Sequence, residues 1–337
     1  VRVAISQRTL RLRTPIATSY GDVAERDLLE LVIEGSDGVP GRGESAPLEA
    51  YDGVSTQRAR AALEAYGAVL RDGDGLDGGQ LLDACRKTDD LPQALAAVDL
   101  ALWDRAGRRA GVPIGALLAG SALREVAVNA TIGACDRAGA AAAAAAAQAA
   151  GFHCVKLKVG VGDDAGRVAA VRAALGPDAL LRLDANGAWT VDEAVRMIDV
   201  LAPAGLELVE EPVHGLAAMR AVRERVTARI AMDETTAEPG ALASGAADAV
   251  CLKLGRCGGI SGLLAAATLV RATGAEPYVA STFDGPLGIA AALHAAAALR
   301  LGPACGLATL GLFEDLEDPF PPHDGFITVP RGPGLLA

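Results

Sequence analysis

At 337 residues the chain is longer than one average domain, and with 51% apolar, 22% charged and only 3% aromatic residues it can bury a large core built from Ala, Val and Leu. Its formal net charge of −11 speaks against a nucleic-acid partner, because phosphate binding needs clustered Lys and Arg. The six cysteines (Cys85, Cys135, Cys154, Cys251, Cys257, Cys305) are scattered without a CxxC pair or zinc-finger His spacing, which predicts reduced thiols in a cytosolic protein.

The first segment, VRVAISQRTLRL, alternates apolar and polar residues, which predicts a strand and not the basic-then-apolar profile of a signal peptide. RDLLELVIEG follows as a second strand, and after a turn-rich stretch come helices that include LPQALAAVDLALWDRAGRRAG. Residues 1–122 therefore read as an α+β unit. From about residue 126 short apolar strands alternate with Ala-rich helices: VAVNATIG, HCVKLKVG, ALLRLDANG, LELVEEP, RIAMDET, AVCLKLG, PYVAST and CGLATL. Three of the connections are long enough for a helix and a return loop, the layout of parallel βα units. The expected fold class is α/β, a TIM-like (β/α) barrel over residues 123–310, with 311–337 as a C-terminal segment packing back on the first unit. The run Ala140–Ala147, followed by Gln148, reads as a plain barrel helix, too weakly hydrophobic to span a membrane. No other charge-free stretch is long enough, so the chain is expected to stay in the cytoplasm.

Polar residues punctuate these strands at barrel spacing. From Lys158 to Asp184 and from Asp184 to Glu210 is 26 residues each, then 23 to Asp233 and 20 to Lys253. Each step is about one βα unit, so strand-end side chains converge on one mouth. Asp184 in LRLDANG, Glu210 in LVEEP and Asp233 in AMDET each follow an apolar strand. A lone strand-end acid caps a helix as readily as it binds anything. Three in register repel one another unless a cation sits among them, and an all-oxygen set suits Mg²⁺ or Mn²⁺ better than zinc. Lys156 and Lys158 in VKLKVG are two apart, so both face into the barrel, where paired lysines are costly without a purpose. Their repulsion and partial burial favour the neutral amine, which is expected to bring Lys158 toward a usable base. Lys253 in VCLKLG approaches from the opposite side.

The motifs KLK, DANGAW, EEP, DET and KLGRCGGI, in this order, resemble the muconate-lactonizing subgroup of the enolase superfamily (mandelate racemase/muconate lactonizing enzyme), and the likeness covers nearly the whole chain. The resemblance implies that residues 1–122 form a capping domain, a lid over the barrel mouth. It implies that Asp184, Glu210 and Asp233 ligate Mg²⁺, which holds a substrate carboxylate and stabilises the enediolate left by proton loss. Lys158 would then be the acid/base on one face, Lys156 would tune it, and Lys253 would be the opposing acid/base or a cation steadying the intermediate. Glu211, Glu234 and Asn186 stand beside the ligands as supporting residues. The family also implies a homo-oligomer.

For substrate choice, the resemblance points to lid loops near TSYGD and APLEAYDG, with Thr18, Ser19, Tyr20 and Tyr51 as candidates, although such residues are also ordinary turn formers. STFDGPLGIAAAL and ACGLATLGLFEDL look like the equivalent stretches of o-succinylbenzoate synthases, with Thr282 and Asp284 at the seventh strand end. Dipeptide epimerases usually carry an Asp-x-Asp pair on the eighth strand, which CGLATLGL lacks. The PLEAYDG loop looks at least as much like cycloisomerases or epimerases. The expected activity is therefore synthase-type dehydration of a small-molecule carboxylate; dipeptide epimerisation, N-acylamino acid racemisation and muconate-type cycloisomerisation stay open. His153, His214, His294 and His323 do not lie at the seventh strand end and read as structural or surface residues.

Overall fold

The computed structural model describes every residue except 19, 20, 74 and 337, and of residues 17 and 18 the backbone alone. The N-terminal half opens with an antiparallel sheet of β1 (Arg2–Thr18), β2 (Gly21–Glu34) and β3 (Pro40–Ser45), in that order. The β1–β2 register shifts between Arg11 and Ile16, where Pro15 has no N–H to give the ladder. Both alternating segments read from the sequence are thus strands, joined into one long hairpin. Its alternate side chains Leu29, Leu31 and Ile33 are buried against Leu63, Tyr66, Leu95 and Val98 of the helices Thr56–Asp72 and Pro92–Ala110. The contact is close because Gly41 and Gly43 face the second of these helices, where a Cβ would run into the Ala101 and Ala97 carbonyls.

The second half is a curled parallel sheet. After β4 (Glu125–Ala127) come β5 (Ala130–Ile132), β6 (Cys154–Lys158), β7 (Leu180–Asp184), β8 (Leu206–Glu210), β9 (Ile230–Met232), β10 (Ala249–Leu252) and β11 (Glu276–Val279). Strands β5 to β11 lie side by side in chain order, and all are parallel. The eighth segment read from the sequence closes the ring with two bridges, Cys305 to Val128 and Gly306 to Ala280. Helices cover the outside, burying Val155, Leu157, Leu181 and Leu183 against Val168, Val171 and Ile198. The alanine run is the helix Arg137–Ala149, capped by Asp136 and buried at Ala140, Ala144 and Ala147, one helical stripe. No helix among the described residues is long and apolar enough to cross a membrane.

Two acids from the first half cap barrel helices in trans. The helix Ile260–Ala272 starts at Gly259 and the helix Pro286–Leu299 at Gly285, both without a side-chain cap of their own. Asp99 supplies the first, accepting from the Ser261 N–H at 3.0 Å and its hydroxyl at 2.5 Å. Glu44 supplies the second, accepting from the Gly285 N–H at 2.7 Å. Buried Arg26 donates to the Ala46 and Pro47 carbonyls at 2.8 Å and to Thr282 at 3.2 Å, tying the segment before Tyr51 to the seventh barrel strand. At the C-terminus, β12 (Phe326–Thr328) pairs with β4, Phe313 bridges Leu12, and the Leu335 N–H donates to Asp104.

Candidate active site

Side chains alternate along each barrel strand, so once Val155 and Leu157 pack outward, Lys156 and Lys158 point into the ring. The same parity puts Asp184 and Glu210 inside at the ends of β7 and β8, where the register sets Lys158 beside Asp184 and Asp184 beside Glu210. Asp233 and Lys253 follow directly on β9 and β10. All of them meet at one end of the barrel. β6 and β10 are separated by three strands on either side, counting the closing segment, so Lys158 and Lys253 approach from opposite walls.

The groups pair lysine with acid in two sets, Lys156 and Lys158 with Asp184 and Glu210, and Lys253 with Asp233. Lys158 Nζ donates to Asp184 Oδ2 at 2.6 Å and to Asn186 Oδ1 at 2.5 Å. Lys156 Nζ bridges Asp184 Oδ2 at 2.8 Å and Glu210 Oε1 at 2.7 Å. Lys253 Nζ lies 3.0 Å from Asp233 Oδ2. The lysines are therefore surrounded by carboxylates, a term the sequence spacing alone does not weigh. Burial pulls the Lys156 ammonium down, but the Asp184 and Glu210 charges outweigh it and hold the group well above its ordinary value. Burial likewise pushes Asp184 and Asp233 up, and the neighbouring lysines reverse the sign, keeping both acids below the usual carboxylate range.

The supporting acids differ from these. Glu211 is fully buried and turns its carboxylate on the next strand end, accepting from the Asp233 N–H at 2.8 Å and the Thr235 N–H at 2.9 Å. Glu234 accepts from Asn186 Nδ2 at 2.8 Å through one oxygen, while its buried Oε2 has no hydrogen-bond partner. Burial, then the charges of Asp233 and Asp184, push the Glu234 carboxyl up to about 8. Asn186 and Glu211 both take left-handed backbone, φ 44° and 39°.

Five carboxylates thus share the space with three lysine ammoniums, an excess of two negative charges when all are ionised. That excess and the orphaned Glu234 oxygen fit a divalent cation held by oxygen. Glu210 and Asp233 offer oxygens within 4.8 Å of one another and of the Cys251 sulfur, all buried. Burial pushes the Cys251 thiol far above its ordinary value, so it stands there as a neutral neighbour.

Of the lid candidates, Ser19 and Tyr20 lie outside the described residues, and Thr18 ends β1. Tyr51 reaches the site, its hydroxyl donating to Asp233 Oδ1 at 2.7 Å. Asp284 is only 5% exposed; it accepts from the Thr282 hydroxyl at 3.1 Å, and burial pushes its carboxyl up against the pull of Arg26. Sequence reasoning missed Tyr278, whose hydroxyl donates to Glu210 Oε2 at 2.8 Å from β11. Its signal was present, since Tyr278 shares strand parity with inward-facing Ala280 in PYVAST. Arg182 was missed as well. It is fully buried beneath the site, paired with Glu207 at 2.7 Å and 5.2 Å from the Tyr278 ring centre.

The chain matches two family models: the mandelate racemase/muconate lactonizing enzyme N-terminal domain over residues 1–119 and the enolase C-terminal domain-like family over residues 139–336. It is 41% identical over 219 residues to an o-succinylbenzoate synthase of Mycobacterium tuberculosis, a match spanning 61% of this chain and 64% of the relative's length. It is 30% identical over 309 residues to a hydrophobic dipeptide epimerase of Enterococcus faecalis, covering 89% of this chain and 87% of the relative. The crystal structure of the dipeptide epimerase from Enterococcus faecalis V583, complexed with Mg and the dipeptide L-Leu-L-Tyr, superposes with a TM-score of 0.91 at 28% identity, covering 99% of this chain and 98% of that one. Those matches across both halves agree with a curled parallel barrel beneath an N-terminal unit and with acids at the ends of β7, β8 and β9; the chain belongs to the enolase superfamily, in its mandelate racemase/muconate lactonizing enzyme family.

Proposed function

We propose that the protein removes the proton next to a substrate carboxylate and then expels a hydroxyl, a dehydration of the o-succinylbenzoate synthase type. The observation that carries the shared first step, proton removal beside a carboxylate, is the facing arrangement of Lys158 and Lys253 around the buried acids Asp184, Glu210 and Asp233, and the likeness of STFDGPLGIAAAL and ACGLATLGLFEDL to synthase stretches supports dehydration as the second. Those three acids would hold Mg²⁺ or Mn²⁺, which when bound would supply positive charge for the substrate carboxylate. Lys158 takes the α-proton and returns it to the departing hydroxyl, so water leaves and the ring of a cyclohexadiene precursor becomes aromatic. Lys156 stays an ammonium between Asp184 and Glu210, and Lys253 opposes the negative charge that develops on the substrate. Asn186 fixes the Lys158 amine through its carbonyl oxygen.

What supports dehydration over dipeptide chemistry is that CGLATLGL lacks the Asp-x-Asp pair that dipeptide epimerases usually carry on the eighth strand. Asp284, at the seventh strand end where the synthases commonly have an acid, is buried against the Thr282 hydroxyl and fits either reading. A second reading is favoured by the two opposed lysines themselves: Lys158 and Lys253 exchanging protons across the α-carbon give epimerisation or racemisation, and the epimerase relative covers more of the chain.

The test is to incubate the Mg²⁺-loaded protein in D₂O with the synthase precursor, N-acylamino acids and dipeptides, following deuterium uptake by NMR and dehydration by absorbance. Dehydration without α-exchange of the amino-acid derivatives supports the synthase reading. Exchange with stereochemical scrambling and no dehydration replaces it with the racemase reading.

A further inference from the structure

Tyr51 belongs to the N-terminal half, yet its hydroxyl donates to Asp233 at the end of β9, 182 positions along the chain. Its ring lies 4.2 Å from the Arg256 guanidinium and 5.6 Å from Lys253 Nζ, and its carbonyl accepts from Arg256 at 3.3 Å. The helix that carries it, Glu49–Asp52, is a single turn with no buried residue, closed by Gly53 in the left-handed region. So slight an element has little packing of its own to hold it. Tyr278 makes the equivalent bond to Glu210, but from within the barrel.

We propose that Tyr51 is a positioning residue that couples seating of the segment 46–53 on the barrel to metal binding at Asp233. The proposal rests on the reading of Asp184, Glu210 and Asp233 as the metal-holding acids. Tyr51 holds Asp233 Oδ1 while Lys253 holds Oδ2, so the hydroxyl fixes the rotation of the carboxylate. Partners that orient a ligand in this way typically change metal affinity by about 10–100-fold. Because this partner sits on a separate segment, the coupling is reciprocal: whatever factor the seated tyrosine adds to metal affinity, the metal adds to seating. Tyr278 orients Glu210 without that consequence, since it is part of β11.

The experiment compares the unsubstituted protein with Tyr51→Phe, which keeps the ring over Arg256 and removes only the hydroxyl, and with Tyr278→Phe. Mg²⁺ affinity is measured by calorimetry. Hydrogen exchange is followed at the amides of Tyr51, Asp52 and Gly53, which bond to the Leu48 and Glu49 carbonyls. Both variants are expected to bind Mg²⁺ about tenfold more weakly. Mg²⁺ slows exchange of the three amides in the unsubstituted protein and in Tyr278→Phe but not in Tyr51→Phe, and saturating Mg²⁺ restores turnover to Tyr51→Phe. Affinity within twofold for Tyr51→Phe, or unchanged Mg²⁺-dependent protection in it, overturns the coupling alone. Failure of the unsubstituted protein to bind Mg²⁺ overturns the metal reading and the coupling together.

Discussion

Glu44 allows a direct test of how the two halves are held together. Its carboxylate is buried on the N-terminus of the helix Pro286–Leu299 and faces Asp284, with Glu30 farther off adding the same sign. Burial first, then the Asp284 charge, push it from 4.5 up to about 8, against the opposing pull of the Gly285 and Gly288 N–H groups. A carboxyl whose folded value lies above its unfolded value binds more protons in the folded state. It contributes stability that is complete below about pH 4.5 and lost as pH rises through about 8. At about 1.4 kcal/mol per pH unit, the full span is worth roughly 5 kcal/mol, a sizeable part of a typical folding free energy. Glu44→Gln keeps an acceptor for the Gly285 N–H and removes the titration. Urea unfolding of both proteins from pH 5 to pH 9 should show the unsubstituted protein losing several kcal/mol relative to the variant as pH rises. A gap that is constant with pH, or one that grows in favour of the unsubstituted protein, would refute the buried-proton account.

Lys158→Ala should lower turnover by at least about 10²-fold while calorimetry shows Mg²⁺ still bound, because the proposed base is lost and the three acids proposed to hold the metal remain. Asp99→Ala leaves the Ser261 N–H and hydroxyl without their acceptor and should cost about 2–3 kcal/mol in urea unfolding, with Asp99→Asn recovering part of it. His294 accepts from the Gly115 N–H at 3.2 Å, and burial pulls it from 6.5 down to about 4. Its stabilising contribution is therefore present above pH 6.5 and lost as pH falls through 4, roughly 3 kcal/mol in all; NMR should show a neutral ring at pH 5. Between pH 4.5 and 6.5 this slope opposes that of Glu44, so only comparison with single variants separates the two.

How much of this was legible in the sequence follows from how local each signal is. The barrel could be read because each strand carries its own apolar run and its own terminal polar residue, and the period-two alternation sends Lys156, Lys158, Asp184 and Glu210 to one side without knowledge of their partners. The eighth strand was legible as CGLATL although it makes only isolated bridges, Cys305 to Val128 and Gly306 to Ala280, because its apolar pattern repeats that of the others. Pairings between distant residues were not legible. Nothing around Tyr278 announces Glu210, and nothing around Asp284 announces that Glu44 and Arg26 will meet it and take it out of contact with solvent. The surroundings of Lys156 were illegible for the same reason: a spacing of two predicts repulsion from Lys158, whereas the carboxylates that hold the Lys156 ammonium arrive from β7 and β8.

The same distant pairings decide how the site can open. Rotating the whole N-terminal half away from the barrel would break the Asp99 bonds to Ser261 and the Glu44 bond to Gly285, and would bare two helix N-termini. Leaving buried donors and acceptors unpaired costs about 1–3 kcal/mol each, so that motion is costly. Lifting only the turn that carries Tyr51 breaks its bond to Asp233, the Arg256 bond to its carbonyl and its stacking on Arg256, while Glu44 and the Arg26 bonds to Ala46 and Pro47 stay in place at the near end of the segment. The local motion costs less, and the geometry allows it, because Gly53 already provides a left-handed joint at the far end, φ 72°. Substrate entry is therefore expected to involve a hinge between Leu48 and Val54 with the two trans caps and the Arg26 bonds intact. On that account Asp99→Ala should lower stability without abolishing the Mg²⁺-dependent protection of residues 51–53.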